Sequence, residues 1–147
     1  TLSLLLLLMG VMGFMGTVLI GSLLRRSLHM PLVIIPVLMA VIALTLAPLG
    51  GHVAPVAMLL GLWGLLATAA PVGWWSWVAQ AMPDDAEAGG GMMVAVVQLA
   101  IALGSTLGGV LFDSRGHASA FAASAFVLLT SALLSFQASR APALQAA

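Results

Sequence analysis

Catalysis needs side chains that take up or release a proton, attack a substrate or hold a metal, and this sequence gathers nearly all of its own at a few points. Four arginines and four acids make up the charged set of the 147 residues. They stand at Arg25–Arg26, in Asp84-Asp85-Ala86-Glu87, at Asp113–Arg115 and at Arg140. His29, His52 and His117 fall at predicted loops, and no two share a helix at metal-ligand spacing. Cysteine is absent. Neither a Gly-x-Ser-x-Gly elbow nor a phosphate-binding loop occurs, and Gly89-Gly90-Gly91 reads as a flexible lead-in to a helix. These residues point to no enzyme, no metal site and no cofactor. With zero net charge and no basic tract, they point to no nucleic-acid partner either.

Inside the uncharged stretches the chemistry that remains is recognition and packing. Gln98 is the most polar side chain deep in the fourth span, serving either as an interhelical hydrogen bond or as a donor and acceptor facing a substrate cavity. Trp63, Trp74, Trp75 and Trp77 share one stretch. The last three suit an aromatic belt at a membrane interface, while Trp63 and Trp74 are also candidates to stack on a substrate. Small residues recur at helical spacing: Gly10, Gly13, Thr17 and Gly21, broadened by Gly16, form one face. Ala100, Gly104 and Gly108 form another. A stripe of Gln98, Ala102, Ser105 and Gly109 runs about 100° around the same helix, and Ala102 joins Gln98 as a candidate to line the substrate cavity. In lipid, helices associate through close approach at such residues and through interhelical hydrogen bonds. The doubly striped helix is therefore expected to be surrounded by protein.

The elements that position these residues follow from composition. The chain is 63% hydrophobic and 5% charged, against about 25% charged in soluble domains. A bilayer core takes about 20 apolar residues in a helix, and a charge at its centre costs about 2.5–3.5 kcal/mol on insertion scales. Charges therefore mark boundaries. The predicted fold is all-α, a polytopic bundle of five transmembrane helices over about 2–24, 31–49, 53–82, 91–112 and 118–136. Residues 1–140 then form one transmembrane domain, and 141–147 a disordered tail. The third span exceeds the hydrocarbon thickness, and Pro71, unable to donate to Ala67, offers a place to bend. The first span has no basic leader and exceeds a signal peptide's apolar run, so it reads as a membrane span of a chain that continues upstream. Arg25, Arg26 and Arg140 lie on one side and Arg115 alone on the other, which predicts a cytoplasmic C-terminus.

The segment Pro71 to Gly116, PVGWWSWVAQAMPDDAEAGGGMMVAVVQLAIALGSTLGGVLFDSRG, resembles the last third of major facilitator superfamily transporters. It is similar to their twelve-span drug:H⁺ antiporter group, which holds arabinose-type and purine ribonucleoside efflux permeases. The features that carry the resemblance are Trp63-Gly64, the Pro-Val-Gly start, the acidic loop, Val-Gln-Leu-Ala and the Gly-Ser-Thr-Leu-Gly-Gly run closing on Asp and Gly. Gly21-Ser22-Leu23-Leu24-Arg25-Arg26 is similar to the loop after the family's eighth span, without its acid. The resemblance implies that the helices match spans eight to twelve, with helices I, III and IV lining a cavity and II and V more peripheral.

It further implies secondary-active, proton-coupled efflux of a small organic molecule by alternating access, in a bacterial inner membrane. The partners would be the bilayer, the substrate, protons and the missing N-terminal half, which would hold the proton-coupling residue. A different reading of the same sequence is a self-contained five-helix structural or assembly protein whose glycine faces dock a partner.

Overall fold

A computed structural model describes residues 2–25, 27–49 and 51–140. It has five helices in chain order: α1 (Leu2–Leu24), α2 (His29–Leu46), α3 (Val53–Ala81), α4 (Ala86–Arg115) and α5 (His117–Ser139). All five are long and apolar enough to cross a membrane, and no strand occurs among the described residues. In a bilayer only helices and closed barrels satisfy every backbone polar group internally, and the charge-free stretches here take the first solution. The tail at 141–147 and Arg26 lie outside the described residues.

The ends of the helices depart from the charge-defined boundaries. α2 starts at His29, ahead of Pro31, which stands in the first turn where its missing N–H costs nothing. α4 starts at Ala86, so Gly89, Gly90 and Gly91 are helical. The reason is packing: a β-carbon on Gly89 would stand 2.9 Å from the Met82 sulfur and 3.1 Å from Val78, and one on Gly90 3.2 Å from the Trp75 ring. Glycine's weak helix propensity is outweighed there by close approach to α3. At its far end α4 closes on Gly116, whose φ of 79° suits glycine and reverses the chain into α5. The Gly116 amide donates to the Phe112 carbonyl at 2.8 Å.

α1 packs along α3, α2 along both α3 and α5, and α4 leans on α3 at one end and α5 at the other. Two apolar clusters hold the bundle. Ile20, Ile35, Met39 and Ala69 join α1, α2 and α3, while Ala40, Ala43 and Ala125 let α2 and α5 meet closely. Trp63 is packed against both clusters. α2 is the enclosed helix, with nine buried residues, against only Gly89 and Gly90 in α4. The sequence-based expectations of a peripheral second helix and an enclosed fourth are thus reversed within this chain. α2 is wedged between α3 and α5, and none of the other four helices covers the middle of α4.

Candidate functional site: a glycine seam and two grooves

The tightest contact in the molecule is built from residues without side chains. Along the α1–α3 seam a β-carbon on Gly16 would fall 2.1 Å from the Leu65 carbonyl oxygen, and one on Gly64 2.6 Å from that of Met9. On Gly13 it would meet Thr68 Cγ2 at 3.0 Å. At Gly16 and Gly64 backbone stands against backbone, which only glycine allows, while Gly13 lies against the Thr68 side chain. The Thr68 hydroxyl crosses the seam to donate to the Gly13 carbonyl at 2.7 Å, with the Gly64 and Leu65 carbonyls of its own helix at 3.1 and 3.2 Å. That contact is an interhelical hydrogen bond of the kind that holds helices together in lipid.

The other small residues of α1 lie off this seam. Gly10 and Gly21 have nothing within 4 Å of an added β-carbon, and the Thr17 hydroxyl donates to Phe14 of its own helix at 2.7 Å. Arg25 stands at the end of α1 and reaches back to the Gly21 carbonyl at 3.4 Å.

α3, α4 and α5 line a groove of about 390 Å³, to which α3 contributes Trp63, α4 Gly104, Gly108 and Leu111, and α5 Ala120, Ala123 and Ser124 among others. Its α4 wall is steadied by Ser119, whose hydroxyl lies 3.0 Å from the Leu111 carbonyl and 2.8 Å from that of Gly116. The structure thus brings Trp63, Gly104 and Gly108 together. Gln98 and Ala102 do not line this groove; they stand exposed on α4. The Ala102 carbonyl accepts from Ser105 and Thr106, and Gly109 has open space around it. Trp74 lines a second groove between α3 and α5, its ring held edge-to-face against Trp77 with centroids 5.9 Å apart and planes at 80°. His29 and His117 begin α2 and α5, and His52 directly precedes α3. Among the described residues no cluster of three His, Cys, Asp or Glu side chains is placed to hold a metal.

The sequence reading assigned no packing role to Gly61, Gly64 and Thr68 on α3, nor to Gly89 and Gly90 on α4. Gly61, Gly64 and Thr68 follow one another at steps of three and four. That spacing is the available signal, and it is a weak one because a membrane threonine can equally satisfy itself on its own backbone.

Comparison with known proteins places this architecture. The chain is 38% identical over 133 residues to the "Purine ribonucleoside efflux pump NepI" of Salmonella typhimurium, covering 90% of this chain and 34% of that protein. It is a relative of an efflux pump. The same protein from Salmonella enteritidis matches to the same extent. A second relative, the "Transcription regulatory protein OpdE" of Pseudomonas aeruginosa, is 58% identical over 141 residues, covering 96% of this chain and 35% of its own length. The chain therefore spans about a third of the length of these curated relatives. No family model and no solved structure matches it. With five spanning helices, the chain is a multi-pass membrane protein with the likeness of an efflux permease.

Proposed function

We propose that this chain forms the C-terminal portion of a secondary-active efflux transporter of the major facilitator type. It would export a small organic molecule, with a purine ribonucleoside as the first substrate to test, in exchange for protons across a bacterial inner membrane. The similarity to a nucleoside efflux pump along 90% of the chain carries this reading. The architecture agrees with it: α1 and α3 are locked at a backbone-to-backbone seam, and α4 offers small residues beside a tryptophan-floored groove. In alternating access, rigid groups of helices rock about a site near the midplane. The α1–α3 pair supplies such a rigid group.

In this reading the open middle of α4, with Gln98, Ala102, Ser105 and Gly109, faces the pathway and the helices contributed by the rest of the transporter. Gln98 supplies a donor and an acceptor for the substrate, and Trp63 lies under the same helix. No acid or lysine lies in the middle of any span, so the proton-coupling group belongs to the remainder of the protein. Arg25, Arg26 and Arg140 then mark the cytoplasmic face. The regulatory role in the other relative's name is said of that protein, and the four basic residues along this chain form no stripe suited to a phosphate backbone.

The test is export of radiolabelled inosine from cells expressing the intact transporter, with Gln98→Ala beside the unaltered protein. Export falling severalfold in the variant, with substrate-free proton movement retained, supports the assignment. Export unchanged by Gln98→Ala removes that residue from the pathway. No inosine export by the unaltered protein removes the nucleoside.

A further inference from the structure

Of the nine methionines, all but Met82 lie within the five helices. Met82 caps α3, its amide donating to the Val78 carbonyl at 3.0 Å. Pro83, Asp84 and Asp85 follow, all exposed, and Glu87 stands in the first turn of α4. Acids so closely spaced need water, so this junction stands outside the hydrocarbon, beyond the tryptophans near the end of α3. Met82 is itself 37% exposed.

The same side chain is also a fastening. Its sulfur fills the space beside Gly89, 2.9 Å from where a β-carbon there would stand, and its methyl group lies 3.7 Å from that point. Val78, one turn earlier on α3, flanks the point at 3.1 Å, and the Trp75 ring covers Gly90. The start of α4 is thus held to α3 by a thioether, a valine and an indole. Of these, the thioether is the group that a peroxide attacks.

We infer that Met82 is an oxidation site whose conversion to the sulfoxide loosens the start of α4 from α3. The oxidant is hydrogen peroxide arriving from water. A sulfur lone pair attacks one peroxide oxygen, the S–O bond forms as the O–O bond breaks, and the second oxygen departs as water with both protons. Sulfur gives up two electrons and the peroxide takes them. The product is polar where the parent side chain was apolar. Beside Gly89 the thioether leaves no room for one more carbon, so the new oxygen cannot be taken up there. It turns to water and draws the side chain off the glycine. Enzymatic reduction of the sulfoxide restores the contact. This site stands apart from the transport reading, since it concerns how two helices are joined.

The test uses the chain in phosphatidylcholine nanodiscs, treated with hydrogen peroxide and then with catalase. Peptide mapping by mass spectrometry follows each methionine. Cleavage after Glu87 by a Glu-specific protease reads unravelling of the first turn of α4. Met82 should oxidise ahead of Met15, which is 46% exposed in the chain but lies within the α1 span, where lipid keeps water away. The oxidised chain should be cut after Glu87 about fivefold faster, equivalent to about 1 kcal/mol at 1.4 kcal/mol per tenfold, since cleavage tracks the opened fraction. Met82→Leu keeps an apolar cover over Gly89 and should lose the response. Met82→Gln, without oxidant, should be cut as fast as the oxidised parent. The inference is overturned if Met82 oxidises no faster than Met15, if peroxide speeds cleavage equally in Met82→Leu, or if Met82→Gln is cut at the parent's rate. Treating the oxidised chain with methionine sulfoxide reductases should return cleavage to the slow rate, and fast cleavage persisting after full reduction overturns it as well.

Discussion

Gly16→Ala is the sharpest probe of the α1–α3 seam, because its consequence can be worked from distances. The added methyl carbon falls 2.1 Å from the Leu65 carbonyl oxygen, and contacts under 3.0 Å are essentially never tolerated. The helices must therefore open by at least about 0.9 Å at that level, the difference between those two distances. Opening by that amount along the line to Thr68 carries its 2.7 Å bond to Gly13 past the 3.5 Å limit of a hydrogen bond. Overpacking costs about 1–3 kcal/mol, and an interhelical hydrogen bond in a membrane protein is worth about 0.6 kcal/mol. The combined loss is about 2–4 kcal/mol. Gly10→Ala is the matched control on the same helix, since nothing lies within 4 Å of its new methyl. Alanine's better helix propensity should leave that variant neutral or slightly more stable. The assay is SDS-driven unfolding of the detergent-solubilised chain followed by circular dichroism. A Gly16→Ala chain within about 0.5 kcal/mol of Gly10→Ala would refute the seam, since ordinary surface changes fall inside that range.

The seam's hydrogen bond is open to a gentler probe. Thr68→Val keeps the shape and removes the donor, and should cost about 0.5–1.5 kcal/mol, whereas Thr68→Ser should retain most of the wild-type stability in the same titration. Topology is checked by single cysteines at Ser27, Asp84 and Arg140 in intact cells. Five spans require all three to react from one side, and the arginine distribution predicts the cytoplasmic side, so a membrane-impermeant maleimide should label none of them until the cells are opened. Labelling of one but not the others from outside would overturn the five-span layout.

The spans are legible because the bilayer imposes a steep rule: a charge inside is so costly that the few present act as punctuation. Arg25 stands just past the end of α1, and the Asp113–Arg115 group with Gly116 closes α4. What composition does not convey is which face of each rod meets which neighbour. The glycines of α1 look alike in the sequence, yet Gly13 and Gly16 abut α3 while Gly10 and Gly21 face open space. The difference arises from where two helices cross, a tertiary fact with no local signal. Gly89 and Gly90 illustrate the converse, since a triplet of glycines reads as a hinge until a neighbour is placed close enough to require them. Of the candidate site, Trp63 beside Gly104 and Gly108 is a grouping made by two helices, α3 and α4, far apart in sequence. Gln98 is conspicuous in the sequence because it is polar, a property that does not depend on what it touches.

α4 is fastened to its neighbours only near its ends, by Gly89 and Gly90 against α3 and by Leu111, Ser119 and Gly116 at the junction with α5. It is strung like a bow between two anchors. An element attached in that way leaves its middle, with Gln98, free to receive helices from the rest of the protein, and contacts made there would load α4 before they reached the α1–α3 seam.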